Sequence, residues 1–297
     1  MKQSEFMSMF NWLFQPFIEF DFMRYALAAM VFLAVSTAPI GVFLMMRRMS
    51  LVGDALGHAI LPGAAVGYLM AGLSLPAMSI GGFVAGLTMA LLAGLASRFT
   101  NIKEDASFAA FYLSSLAIGV VLVSRNGNSV DLLNLLFGSI LAVDLPALTL
   151  VAVVSSITLL ALAVMYRPLL LESIDPLFLQ AVGGRGSVWH LAFLVLVVLN
   201  LVSGFQALGT LMAVGLMMLP AISARLWANS MGGLIALATL MAISCGLAGL
   251  LFSYYVELPS GPAIILCCGL VYVLSLIFGQ ESGLLPRWWR HRRHRAH

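Results

Sequence analysis

The sequence predicts an all-α polytopic membrane protein, a helical bundle with about eight to nine transmembrane helices. Apolar residues make up 62% of the 297 residues and charged residues only 9%, whereas soluble domains carry about 25% charged residues. The mean hydropathy is +1.04. Apolar runs of roughly 20 residues, the length that crosses a bilayer as a helix, follow one another between Gly, Pro and charged breakers. A soluble enzyme core is therefore excluded.

Nine apolar segments are long enough to be membrane spans. They cover residues 22–46, 53–72, 76–97, 106–124, 145–166, 187–204, 209–227, 233–255 and 259–278. A shorter run, 131–143, is interpreted as a re-entrant or interfacial helix. An eight-span alternative stays open, because Gly and Pro interrupt the helices within residues 53–98.

Three parts of the chain differ in composition: an N-terminal segment (1–21), the transmembrane domain (22–280) and a basic tail (281–297). Acidic residues interrupt the first segment, so we expect an interfacial segment and not a cleavable signal peptide. Its aromatic and apolar residues, which favour the bilayer interface, are Phe6, Phe10, Trp12, Leu13, Phe14 and Phe17.

Basic residues predict the orientation, because cytosolic loops are enriched in Lys and Arg. When the loop with Arg47 and Arg48 is placed in the cytosol and the nine spans alternate from there, 12 of the 15 basic residues become cytosolic. The exceptions are Lys2, Arg24 and Arg125. This topology puts the N-terminus outside and the C-terminus in the cytosol.

Asp54 and His58 are the most informative residues of the chain. From Ala55 to Ser97 there is no Asp, Glu, Lys or Arg. Residues at i and i+4 share one face of a helix, and ionisable groups within a span are functional candidates. An aspartate and a histidine are also half of a plausible ligand set for a divalent metal.

Structural roles for the pair stay open at this stage. Asp54 in the sequence Gly-Asp-Ala is a good helix N-cap, and Arg47 or Arg48 could neutralise it. His58 could be satisfied by a neighbouring backbone group. Asp54 follows Arg48 by six residues, about 9 Å of helix, which places the pair toward the cytosolic half of the span or requires a bend.

The cytosolic loop 167–186 contains a second candidate site. Residues 172–182 can form one short amphipathic helix that Gly183 and Gly184 would end. Such a helix can dock on a cytosolic motor, with Phe178 as an anchor in a groove. A surface helix that rests on the bilayer is the equal alternative.

The remaining polar and small residues have structural interpretations. We expect the cysteines, Gly63–Gly67 and Gly82–Gly86 to serve helix packing. His190 is a structural polar residue, and the tail histidines accompany arginines that contact anionic lipid. Asp131, Asp144 and Glu257 either guide a cation or a docking protein, or serve as caps and salt bridges. The cysteines are Cys245, Cys267 and Cys268, and the tail histidines are His291, His294 and His297.

Five motifs together resemble one family, the membrane permeases of ATP-binding-cassette importers for zinc, manganese and iron. They are RRMSLVGDALGHAILPG (47–63), NSVDLLNLLFGSIL (128–141), SIDPLFLQAVG (173–183), ALGTLMAVGLMMLPAISARL (207–226) and ELPSGPAIIL (257–266). The motifs occur in the family's order and cover nearly the whole chain.

The resemblance implies a fold, a set of partners and a location. The fold would be a smaller relative of the vitamin B12 permease fold, in a bacterial plasma (inner) membrane. The partners would be a second permease copy, two cytosolic ATP-binding subunits and a periplasmic or surface metal-binding protein, besides membrane lipid. No nucleic acid is expected. ATP hydrolysis would belong to the separate ATPase, so this chain is not expected to be an enzyme.

The resemblance also implies site residues. Asp54 and His58 match the family's Asp and His in the translocation pathway, and 172–184 matches the coupling helix. The coupling residues would be Glu172, Asp175, Phe178, Ala181 and Gly183.

From these matches we expect a metal importer. Asp54 and His58 from each of two permeases would form a weak, transient four-ligand site at the dimer axis. Zinc is the first expectation, with manganese or iron as alternatives. The ion would be a substrate, with no permanently bound cofactor.

Two rival classes have their own signatures. An intramembrane metalloprotease would need a HExxH helix, which the chain lacks. An ion-coupled secondary transporter usually carries more intramembrane acidic residues and is the less favoured alternative.

Overall fold

The computed structural model describes residues 15–72, 74–100, 104–124, 143–175, 178–179, 186–281 and 283–285. Nine helices of 16 or more residues make up nearly all of these parts of the chain. They are α1 (Asp21–Met46), α2 (Ser50–Ala71), α3 (Leu75–Phe99), α4 (Glu104–Ser124), α5 (Leu145–Ile174), α6 (Gly186–Leu208), α7 (Thr210–Arg225), α8 (Met231–Val256) and α9 (Ser260–Phe278).

The predicted all-α fold class is confirmed, and each of the nine predicted spans corresponds to one helix. Six helices, α1, α3, α5, α6, α8 and α9, are long and apolar enough to cross a membrane by length and composition. Shorter apolar helices are found at Asp105–Val121, within α4, and at α7. Helix α2 is absent from both groups because Asp54 and His58 lower its hydropathy.

Several predictions fall outside the described residues. They concern most of the interfacial segment (1–14), the short run that begins at 131, and the C-terminal tail from 286 onward with its histidines. Ala181 and Gly183 of the predicted coupling helix also lie outside. Within the described part of the N-terminal segment, Phe17 packs against Met23 and Leu251.

The predicted start of the coupling helix at Glu172 differs from the structure. Helix α5 continues through Glu172 and ends at Ile174, so Glu172 belongs to the last turn of a long helix. The break comes at Asp175, with φ −144° and ψ 87°. Pro176 follows Asp175 in the sequence, and a residue before proline is disfavoured in helical conformation.

Two apolar clusters fill the bundle. One joins the end of α1 with α2, α3, α6 and the second half of α5, around Phe43, Phe193 and Leu56. The other joins α1, α7, α8 and α9, around Met30, Leu216 and further buried residues. Cys245 and Cys268 are buried in this second cluster, which confirms the packing interpretation for both.

Glycines allow close approach of helices to α2 on two sides. An added Cβ at Gly63 would collide with the carbonyl oxygen of Gly81 on α3, and one at Gly67 with that of Ala77. On another side, an added Cβ at Gly53 would lie 2.7 Å from Met217 Cε of α7. Small residues thus permit backbone contact, as predicted for the Gly63–Gly67 pair.

Replacing Gly63 with alanine tests this packing. The new methyl group would separate α2 from α3, and overpacking of this kind costs about 1–3 kcal/mol. We expect Gly63→Ala to lower the thermal unfolding temperature of the purified protein in detergent. Gly94, whose added Cβ would meet nothing within 4 Å, is the matched control. Equal unfolding temperatures for Gly63→Ala and Gly94→Ala would contradict the packing model.

Candidate metal site

Asp54 and His58 meet on one face of α2, as the spacing predicted. The helix begins at Ser50 after Met49, so Asp54 lies inside the helix and is not its N-cap. The distance between Asp54 Oδ1 and His58 Nε2 is 3.5 Å. The two candidate ligand atoms therefore lie side by side on one face of the helix.

The pair lies on an open face of the chain. The Asp54 side chain is 56% exposed and the His58 side chain 26%. Leu51, one turn before Asp54, is also exposed, whereas Gly53 and Gly57 on the other side of the helix are buried. An added Cβ at Gly57 would lie 2.9 Å from Val214 of α7. Neighbouring helices thus cover the back of α2 and leave the two ligand candidates accessible.

His58 is held by an aromatic neighbour. The imidazole packs on Tyr112 of α4, with ring centroids 5.3 Å apart. Its Nδ1 is buried and has no hydrogen-bond partner among the described residues, so the expected backbone contact is not found there. Nε2 faces Asp54. With the proton on Nδ1, the lone pair of Nε2 is available to a cation.

The spacing of the two atoms suits a shared metal ion. Carboxylate oxygen and imidazole nitrogen bind first-row metals at about 2.0–2.2 Å, and two such ligands at a tetrahedral angle are about 3.4 Å apart. The observed 3.5 Å needs little rearrangement. No group of three or more His, Cys, Asp or Glu that could hold a metal occurs in the described part of the chain. The described part of one chain therefore offers two candidate ligands, fewer than a divalent metal site needs.

Arg47 does not neutralise Asp54, because its guanidinium binds other side chains. Its Nη2 donates to Glu172 Oε2 at 2.8 Å and its Nη1 lies 2.9 Å from His190 Nδ1. This contact supports the structural role predicted for His190. The ion pair with Glu172 was not predicted, because the two residues are 125 positions apart in the sequence. No sequence pattern around either residue indicates the other as its partner.

The predicted coupling residues are partly described. Glu172 lies in the last turn of α5 beside Arg47, and Asp175 Oδ1 accepts a hydrogen bond from the Phe178 backbone N–H at 2.9 Å. The Phe178 side chain is 53% exposed, whereas Leu179 is buried. Phe178 is therefore accessible to a partner, as an anchor must be.

Two acidic residues that the sequence left ambiguous occupy helix ends. Asp144 Oδ1 accepts a hydrogen bond from Ala147 N at 2.9 Å and so caps α5. Glu257 ends α8 in the left-handed region, with φ 56°. The cap interpretation is confirmed for Asp144.

Comparison with known families and curated proteins identifies relatives over the full length of this fold. The model of the ABC 3 transport family matches residues 19–279. The manganese transport system membrane protein MntC of Halalkalibacterium halodurans is 31% identical, with 97% of each chain covered. The manganese import system permease protein ScaB of Streptococcus gordonii is 30% identical, over 91% of this chain and 95% of that protein. A probable iron transport system membrane protein of Haemophilus influenzae is 30% identical, over 92% and 98%.

Solved structures share the fold. PsaBC from Streptococcus pneumoniae, solved in complex with Fab, superposes with a TM-score of 0.81 and 29% identity, covering 94% of this chain and 98% of that one. An inward-facing putative metal-chelate type ABC transporter gives a TM-score of 0.65 at 18% identity, with 84% of each chain covered. The names of the curated relatives above mention manganese or iron, and they give no specific support to the expectation of zinc.

Metal binding by the purified protein tests the site. We expect Asp54→Asn and His58→Gln each to weaken Mn²⁺ binding about tenfold or more, because each removes one ligand of a small set. Electron paramagnetic resonance of free Mn²⁺ during a titration measures this. Asp105→Asn, at an exposed position of α4, is the matched control. Unchanged binding by both site variants would exclude the pair as ligands.

Proposed function

We propose that this chain, which belongs to the ABC 3 transport family, carries Mn²⁺ across the membrane through a site built on Asp54 and His58. The chain is the permease of an ABC metal importer, a multi-pass transport component of a plasma membrane. The single observation that supports the site is the 3.5 Å approach of Asp54 Oδ1 to His58 Nε2 on an open face of α2.

The choice of Mn²⁺ rests on relatives and on ligand chemistry. Relatives that are named for manganese match this chain over nearly its full length. A carboxylate suits Mn²⁺, and an imidazole suits Fe²⁺ and Zn²⁺ as well. No thiolate accompanies the pair in the described residues, since Cys245, Cys267 and Cys268 lie on α8 and α9. Zinc, the first expectation from the sequence, and iron are therefore the alternatives that an uptake assay must separate.

A second copy of the chain would complete the site. Two ligands are too few to replace the hydration shell of a divalent ion, and the exposure of Asp54 leaves its free side open to a neighbour. Two-fold symmetry would bring together two carboxylates and two imidazoles. We therefore propose a homodimer with the ion on its axis. Water would fill any further coordination positions that Mn²⁺ requires.

Two cytosolic ATP-binding subunits would drive the cycle, and an external metal-binding protein would deliver the ion. We place the C-terminus in the cytosol and the N-terminus outside, in accordance with the distribution of basic residues. The segment after α5, with exposed Phe178, is the proposed contact with the ATPase. Closure of the ATPases would move this segment and change which side of the membrane the site faces. Release requires weak binding, which suits a partly exposed pair.

Uptake of radioactive ⁵⁴Mn into proteoliposomes that hold the reconstituted complex tests this function. We expect ATP-dependent uptake that Asp54→Asn and His58→Gln reduce to below about a tenth of the parent rate. Unlabelled Mn²⁺, Fe²⁺ and Zn²⁺ as competitors rank the three metals. The exposed Asp105→Asn variant should transport like the parent.

Three results would contradict parts of the proposal. Uptake without ATP would indicate a secondary transporter. Full uptake by both site variants, at normal protein levels, would remove the assigned metal site. Stronger competition by Zn²⁺ than by Mn²⁺ would keep the site and correct the metal.

A further inference from the structure

Arg47 holds three helices together at the predicted cytosolic end of the bundle. It follows directly after α1, and its guanidinium contacts α5 and α6. Nη2 donates to Glu172 Oε2 at 2.8 Å and Nε donates to Ser173 Oγ at 3.2 Å. Nη1 lies 2.9 Å from His190 Nδ1, and the guanidinium carbon lies 4.9 Å from the ring centroid of Phe193.

The pair of Arg47 and Glu172 is nearly closed to solvent. Their side chains are 7% and 14% exposed. A buried ion pair is weak support for stability, because desolvation offsets most of the attraction, but it resists the loss of either partner and defines one geometry. The planar guanidinium, with partners along several of its edges, admits a single placement. The contact therefore joins α1 to α5 in a defined orientation.

On one side, Arg47 connects to the metal-ligand helix through a tight turn. Arg47 N donates to Phe43 O at 3.1 Å, Arg48 N to Met45 O at 3.0 Å and Met49 N to Leu44 O at 2.9 Å. Arg48 adopts φ 59° to make this turn, and α2 starts at Ser50. Asp54 is seven residues beyond Arg47. Arg47 thus lies in the short turn that joins the end of α1 to the first turn of α2.

On the other side, Glu172 connects to the segment that carries Phe178. Asp175 lies three residues after Glu172, at the end of α5, and its carboxylate accepts the Phe178 backbone N–H. Buried Leu179 and the Glu172 carboxylate both lie against Gly186, at 3.6 Å and 3.7 Å from the position of an added Cβ. The Phe178 segment is therefore packed against both the residues around Glu172 and the start of α6.

We propose that Arg47, paired with Glu172, is the positioning residue that transmits movement of the Phe178 segment to the helix of Asp54 and His58. The inference rests on the proposed function. It adds a joint, defined as the Arg47–Glu172 contact, between the proposed metal site and the proposed ATPase contact. The role of Arg47 is to keep α2 and the end of α5 moving as one unit, so that ATP hydrolysis and metal transfer stay coupled.

The test is the number of Mn²⁺ ions transported per ATP hydrolysed by the reconstituted complex. Glu172→Gln keeps the size and an amide oxygen for Arg47 but removes the charge. We expect this variant to hydrolyse ATP at a rate close to that of the parent while the ratio falls roughly two- to thirtyfold. Loss of one charge of a buried pair lowers the unfolding temperature, so both rates are measured well below the temperature at which the Glu172→Gln complex begins to unfold.

Two controls isolate the joint. Asp21→Asn removes a carboxylate from an exposed ion pair with Arg24 at the opposite end of α1, and it should leave the ratio unchanged. Asp105→Asn, at an exposed position of α4, should also leave the ratio unchanged. If the Glu172→Gln complex cannot be isolated, Glu172→Asp keeps the charge but shortens the side chain, and a reduced ratio is again expected.

The outcomes are distinguishable from a failure of the proposed function. If the parent complex does not transport metal with ATP, the proposed function fails. If the parent does transport and Glu172→Gln or Glu172→Asp keeps the parent ratio, the joint is disproved. A parallel loss of hydrolysis and transport would also overturn it, because the defect would then lie in assembly or in the ATPase itself.

Discussion

Close packing around α2 is the constraint on which the rest of the structure depends. This helix carries a carboxylate and an imidazole through an apolar bundle, where unpaired ionisable groups are costly. Gly63 and Gly67 bring α3 against it, and Gly53 and Gly57 bring α7. Because neighbours cover these sides, Asp54 and His58 are confined to the remaining open face. The same packing keeps Tyr112 against the imidazole, with ring centroids 5.3 Å apart.

An open half-site explains why the permease would need a partner. The pair has the spacing of two metal ligands, 3.5 Å, but a transition metal binds four or more. A complete site within one chain would bind tightly and release slowly, whereas a site divided between two copies opens when the copies move. In the proposed mechanism, the buried Arg47–Glu172 contact would give such movement a route from the segment after α5. In this proposal, metal coordination, the two-fold symmetry of the site and its coupling to the ATPase all depend on residues between Arg47 and His58.

The parts that sequence could predict were those with a local signature. Apolar runs predicted the nine helices, and the i,i+4 spacing of Asp54 and His58 predicted their contact. The end of α5 was missed, because residues between Pro168 and Ile174 favour helix as well as a loop and the break depends on Asp175 preceding a proline. The partners of Arg47 were missed because they are 125 to 143 residues distant. Side-chain pairs between distant segments arise from tertiary packing, and they produce no periodic pattern in the sequence from which they could be predicted.

Mixed dimers provide the most direct test of whether two copies share one metal site. Parent and Asp54→Asn chains with different affinity tags can be produced together, and complexes that contain one of each can be isolated by two successive affinity steps. If the site is shared, we expect the mixed complex to take up ⁵⁴Mn at below about a tenth of the parent rate, because losing one ligand disables a common site. Uptake at about half the parent rate would contradict it, because each chain would then carry an independent site.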